Sequence, residues 1–126
     1  MSKESLNFGK TAEAIAGVFL KQSGYKILAR NYLTRLGEVD IIARDKDVYC
    51  FIEVKARRSD CFGVPQEAVS KTKQIQISKA ALSYIKEHNL FNEKCRFDVV
   101  VVKQEDELMG FEIIKDAFTL DERFTP

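Results

Sequence analysis

The sequence predicts an α/β domain in which a central mixed sheet is flanked by helices, and three observations point that way. An Ala-rich, almost wholly apolar stretch opens the chain, and three strand-like segments then follow one another across short polar turns. A long amphipathic stretch finally leads into FDVVVV, a nearly continuous β-branched run of the kind found in strands buried on both faces. A helical crossover between strands of one sheet makes them parallel neighbours.

Residues 8–23, FGKTAEAIAGVFLKQS, are apolar around most of a helix circumference and end at Gly24, a helix stop. Glu13 shares a row with Ala16, Gly17 and Leu20, so its carboxylate borders the core. Strands are expected at 25–33, 38–44 and 48–56, joined at TRLG and DKD as an antiparallel meander. A second helix is expected from about Gln66 to His88, with Ile77, Ala81, Tyr84 and Ile85 on its apolar face and Asn89 as its stop. Strands at 97–103 and 111–118 follow, separated by the polar QEDELMG turn, and the acidic end DERFTP is expected to fray. The order is therefore α-β-β-β-α-β-β, in a single domain spanning 1–126 with its core at about 8–118.

Composition narrows the function classes. At 126 residues, 45% hydrophobic and 31% charged, the chain suits one small globular core. No apolar run approaches the ~20 residues of a membrane span, and MSKESLNFGK lacks the apolar core of a secretion signal. A cytoplasmic protein with no membrane partner is expected. Cys50, Cys61 and Cys95 form no CxxC pair and are odd in number, which argues against a disulfide framework or a zinc knuckle. His88, the only histidine, falls at a helix end, where a surface or capping role is expected.

The net charge of +1 makes no case for a polyanion, but its distribution is uneven. Lys55, Arg57, Arg58, Lys71, Lys73 and Lys79 outnumber Glu53, Asp60 and Glu67 between 53 and 79. Between 104 and 122, Lys115 alone faces Glu105, Asp106, Glu107, Glu112, Asp116, Asp121 and Glu122. Such polarity suits a basic face presented to nucleic acid, and equally an ordinary solvated surface.

The stretch GEVDIIARDKDVYCFIEVKAR carries the chemistry. Strand alternation puts Glu38, Asp40 and Ile42 on one side and Val39, Ile41 and Ala43 on the other. In the next strand Tyr49, Phe51, Glu53, Lys55 and Arg57 share a face. A turn at Lys46 and Asp47 pairs Asp45 with Val48 and, in continued register, sets Asp40 opposite Glu53 with Cβ atoms roughly 5 Å apart. Facing carboxylates repel unless a cation lies between them. Hard oxygen ligands without His or Cys at ligand spacing suit Mg²⁺ or Mn²⁺. Lys55 would then orient a water or stabilise charge on a phosphate oxygen. The same pattern also serves ordinary hairpins, in which cross-strand Lys and Glu pair on a solvated face. Arg57 and Arg58 follow directly from this strand and are candidates for phosphate contact or a solvated strand end.

Gly37-Glu38-Val39-Asp40 and Phe51-Ile52-Glu53-Val54-Lys55-Ala56-Arg57 resemble the split D...ExK signature of the PD-(D/E)XK nuclease superfamily. Almost the whole chain is similar to the YraN-like uncharacterised protein family, which itself resembles archaeal Holliday junction resolvases. The resemblance rests on GKTAEAIAGVFLKQSGYKILARN, GEVDIIARD, FIEVKAR, FGVPQEAVSKTK and RFDVVVV, an ordered set across residues 9–102.

That resemblance implies a restriction-endonuclease-like αβββαβ core. It implies that Asp40 and Glu53 ligate the metal with the main-chain carbonyl of Val54 nearby, that Lys55 positions the attacking water, and that Glu13 is the extra acid of the resolvase-like branch. Val39 stands where the superfamily's name has proline, which leaves the metal ligand untouched. Glu38 is a supporting residue, or a strand-edge carboxylate pairing Arg57 or Lys55. Gln66 and Lys73 match positions that present polar groups to the site or to phosphates, and are otherwise helix surface. The implied function is a Mg²⁺- or Mn²⁺-dependent endonuclease hydrolysing DNA phosphodiester bonds, in branched or structured DNA during repair or recombination. The alternative is a non-catalytic nucleic-acid-binding module of the same fold. Symmetric cutting of a junction requires two sites, hence a homodimer or paired binding.

Overall fold

A computed structural model describes residues 3–58 and 69–119, with side chains described over 11–57 and 69–119. The elements are α1 (Lys3–Gln22), β1 (Lys26–Leu33), β2 (Glu38–Asp45), β3 (Val48–Arg58), α2 (Lys71–Glu87), β4 (Lys94–Glu105) and β5 (Leu108–Phe118). The expected order and α/β class are borne out. Strands lie side by side in the order β1-β2-β3-β4-β5, with β3 and β4 parallel and the other pairs antiparallel. The parallel pair is the one bridged by α2, since only a crossover can join parallel neighbours.

Element ends differ from the sequence reading where a turn is tighter than its composition suggests. The polar run at 104–110 contains only a two-residue turn at Asp106 and Glu107. Asp106 adopts φ 54° and Glu105 pairs with Leu108, so both strands extend into the acidic residues. An edge hairpin tolerates this because its side chains can stay in water. The second helix starts at Lys71 rather than Gln66, for Ser70 is its N-cap and its hydroxyl accepts the Lys73 N–H at 3.2 Å. Gln66 and the terminal DERFTP lie outside the described residues.

Helix α1 ends as expected at Gly24, φ 95°, where Gly24 N–H bonds Lys21 O (3.1 Å) and Tyr25 N–H bonds Leu20 O (2.9 Å). This Schellman closure needs a left-handed residue, which glycine supplies without strain. His88 closes α2 through its N–H to Tyr84 O at 3.0 Å, and its ring lies 4.1 Å from that of Tyr84.

The alternation of β4 divides the core. Val99 and Val101 join Phe51, Ile77, Ala81, Tyr84 and Ile85 on the α2 side, and Val100 and Val102 join Ala12, Ala16, Leu20, Ile41 and Ile52 on the α1 side. No helix among the described residues is long and apolar enough to cross a membrane. Cys50 and Cys95 are free thiols, the first buried and the second exposed.

A polar network on the α1 side departs from the apolar pattern. Asp98 is fully buried and accepts from Arg96 Nε (2.8 Å), the Tyr25 hydroxyl (3.1 Å) and the main-chain N–H of Asp116 (2.9 Å). Arg96 also donates to Asp45 at 2.8 Å, and Lys115 reaches the same carboxylate at 3.1 Å. A buried charge needs this many partners to offset its lost hydration. Bonds from Arg96 chiefly hold the Asp45 carboxyl below its usual range.

Candidate functional site

Three elements converge on the carboxylates. Thr34 and Gly37 fix the entry to β2: Thr34 Oγ1 accepts the Gly37 N–H at 3.1 Å and donates to Gly37 O at 2.9 Å. A Cβ on Gly37 would strike the main-chain carbonyl of Gln76, so this glycine lets β2 approach α2. The Gly of the GEVD stretch thus lets the start of β2 lie against the second helix, with Val39 packed on that side.

The β2–β3 ladder keeps the expected register from Asp45↔Val48, but its last pair is Ile41↔Ile52. Beyond it, Asp40 Oδ2 takes the place of a main-chain acceptor and receives the Val54 N–H at 2.9 Å. Asp40 and Glu53 therefore meet at a fork between the strands rather than as a ladder pair. The expected alternation of β2 is also corrected. Val39 packs with Ile42 on the α2 side, while Ile41 and Ala43 pack on the α1 side. Opposite, Asn31 sits at φ 51°, and Asn31 and Asp40 are left out of a β1–β2 ladder whose register is the same on either side of them, Arg30↔Ile41 and Tyr32↔Val39.

Asp40 opens into a cleft of about 450 Å³ lined also by Glu13, Ala14, Arg30, Asn31 and Ile41. Glu13 comes from α1 as expected. Burial raises its pKa first, followed by the charges of Asp40 and Glu38. Glu38 thus contributes charge to the site. Arg30 is held close to α1 because Gly17 has no Cβ, which would overlap the guanidinium.

Glu53 is 4% exposed. Burial, then the neighbouring Asp40 charge, pushes its pKa up to about 7 against the opposing pull of Lys73 and Lys55. Lys55 Nζ lies 3.9 Å and Lys73 Nζ 3.8 Å from Glu53 Oε1, whereas the buried Oε2 has no hydrogen-bond partner among the described residues. Arg57 follows on β3, paired in the ladder with Lys103; the Arg58 side chain lies outside the described residues.

This set suits a hard divalent cation: two repelling carboxylates and, among the described residues, one buried oxygen without a partner. Among the described residues no three His, Cys, Asp or Glu side chains are grouped to hold a metal, so waters and main chain would complete a shell. Asp40 and Glu53 are the side chains able to hold it, and Val54, tied to Asp40, is the adjacent main chain.

Arg30 and Asn31 went unnoticed in the sequence, although polar ARN in the middle of the strand KILARNYL is a signal that the strand meets something polar there. The Arg96–Asp98 pair was signalled by RFD running into VVVV, since charges within a buried strand require partners.

Residues 12–102 match the profile described as "Uncharacterised protein family UPF0102". A "UPF0102 protein" of Syntrophus aciditrophicus (strain SB) is 49% identical over 117 residues, covering 93% of this chain and 92% of the relative. One from Desulfosudis oleivorans is 43% identical over 118 residues, covering 94% of each. A solved chain described as "Crystal structure of SSO0001" aligns with a TM-score of 0.42 at 18% identity, over 93% of this chain and 55% of that one, a likeness too distant to bear on activity. With the profile spanning most of the chain and its relatives matching end to end, the protein belongs to the uncharacterised protein family UPF0102.

Proposed function

We propose that the chain is a Mg²⁺- or Mn²⁺-dependent endonuclease that hydrolyses DNA phosphodiester bonds. The observation that carries this reading is Glu53: a buried carboxylate beside a second carboxylate, with one oxygen unpartnered among the described residues and a lysine two residues along the same strand. When bound, a divalent cation supplies Lewis acidity, lowering the pKa of water and polarising the scissile phosphate.

The chain's own residues do the rest. Asp40 and Glu53 would hold the cation through their paired negative charge. Lys55, on the face of Glu53, stabilises charge on the phosphate during in-line attack. Glu13 adds a carboxylate on the opposite wall, where its raised pKa suits proton transfer. Arg30 in the cleft, with Arg57 and Arg58 at the end of β3, supplies phosphate contacts that position without reading sequence. Gln66 and Lys73 are proposed to add further polar contacts to the substrate. The products are a 5′-phosphate and a 3′-hydroxyl. Similarity of the motifs to junction resolvases supports branched or structured DNA as substrate, with two copies acting together for paired cuts.

A second reading, a binding module that does not cleave, draws on the lack of a third grouped ligand among the described residues. Cleavage of end-labelled four-way junction, flap, single-stranded and linear duplex DNA in Mg²⁺ and in Mn²⁺ separates the two. Cutting by the wild type and not by Asp40→Asn is expected. Equal DNA binding by both proteins with no cutting of any substrate would favour the binding module.

A further inference from the structure

Lys73 stands on the first turn of α2, anchored by its N–H to Ser70 Oγ. Its ammonium reaches across to Glu53 Oε1 at 3.8 Å, the oxygen that Lys55 also approaches at 3.9 Å. Glu53 Oε2, buried and without a hydrogen-bond partner among the described residues, is left for another cation. The two lysines are about equally exposed, 33% and 36%, but differ in origin and in pull: Lys55 sits on the strand of Glu53 itself, two residues along, whereas Lys73 reaches in from a separate element and acts the more strongly on the Glu53 charge. Glu53, at 5% side-chain exposure, cannot follow it into solvent.

A divalent cation at Asp40 and Glu53 would bring like charge within a few ångströms of both ammonium groups. Lys73, whose charge bears the more strongly on Glu53, would meet the larger share of that repulsion, and its side chain has water to move into. An ammonium freed at the mouth of the site then matches the charge of a backbone phosphate.

We propose that Lys73 is the resident counter-ion of Glu53, that it competes with the divalent cation for that carboxylate, and that once displaced it pairs with a phosphate of the incoming nucleic acid. The inference rests on the Asp40–Glu53 cation site proposed above and adds its regulation. Cation and nucleic acid are coupled through one side chain, and the coupling is reciprocal. Cation binding frees Lys73 for phosphate, and phosphate holds it away from Glu53.

The test titrates Mg²⁺ calorimetrically into the full chain at pH 8.5, where Glu53 is ionised, using wild type, Lys73→Met and, as control, Lys86→Met at the far end of α2. Removing a competing charge should tighten Mg²⁺ binding roughly three- to tenfold in Lys73→Met alone. A second measurement compares binding of a four-way junction in Ca²⁺ and in EDTA. The gain that wild type shows on adding Ca²⁺ should shrink several-fold in Lys73→Met. Unchanged or weaker Mg²⁺ binding by Lys73→Met, or an undiminished Ca²⁺ gain, overturns the inference while leaving the cation site standing. A wild type whose Mg²⁺ binding is absent, or persists in Glu53→Gln, overturns the site itself and the inference with it.

Discussion

Asp40 Oδ2 accepts the main-chain N–H of Val54 at 2.9 Å, one step beyond the last β2–β3 ladder pair, Ile41↔Ile52. One side chain therefore both closes the sheet at the fork and offers charge to the site. Substitutions should separate these roles. Asn keeps an acceptor for Val54, so Asp40→Asn is expected to fold normally and lose Mg²⁺-dependent cleavage. Asp40→Ala leaves that N–H without its partner and should cost a further ~1–3 kcal/mol in urea unfolding. Equal stability of the two variants would contradict the structural role.

Glu53 gives a pH signature. Its pKa is raised from 4.5 to about 7 in the folded protein. The folded state therefore keeps a proton that the unfolded chain releases, and stability is lost as pH rises from 4.5 through about 7. By linkage the penalty above pH 7 is on the order of 3 kcal/mol. Glu53→Gln should be the more stable protein at pH 8 and match wild type near pH 4.5. Denaturant midpoints at both pH values measure it. Mg²⁺ should recover stability for wild type only.

The buried network makes a separate claim. Arg96→Met strands the Asp98 carboxylate, fully buried, with Tyr25 and the Asp116 N–H as remaining donors. A loss of about 3–5 kcal/mol in urea unfolding is expected, and Arg96→Met with Asp98→Leu should restore much of it, because the uncompensated charge is gone.

Gly17 and Arg30 tie the first helix to the cleft. Gly17→Ala should raise helix stability by up to ~1 kcal/mol, yet its Cβ displaces the Arg30 guanidinium. Thermal stability held or raised, with cleavage lowered roughly tenfold, is the expected pair of results. Arg30→Ala should weaken DNA binding across all substrates and lower the log–log salt slope by about 1.

Much of this was readable from residue order. The hairpin at Lys46 and Asp47, the Gly24 stop, the apolar face of α2 and the doubly buried β4 all follow from periodicity and turn chemistry, which act over a few residues. The fork at Asp40 was not readable, because strict alternation assumes an unbroken strand. Val39 turns to the α2 side at the point where Asp40 and, across from it, Asn31 at φ 51° drop out of the β1–β2 ladder. The acidic tip at Asp106 looked like a loop because polarity marks solvent, and an edge hairpin is solvated too. Arg30 entered the cleft through a gap left by a glycine 13 positions away in sequence, a relationship that only packing reveals.

The most direct measurement is anomalous diffraction from crystals soaked in Mn²⁺. The account predicts a single strong peak in contact with the Asp40 and Glu53 carboxylates, with Lys73 Nζ moved away from Glu53 Oε1. A peak elsewhere, or none at Mn²⁺ concentrations that support cleavage, would contradict it.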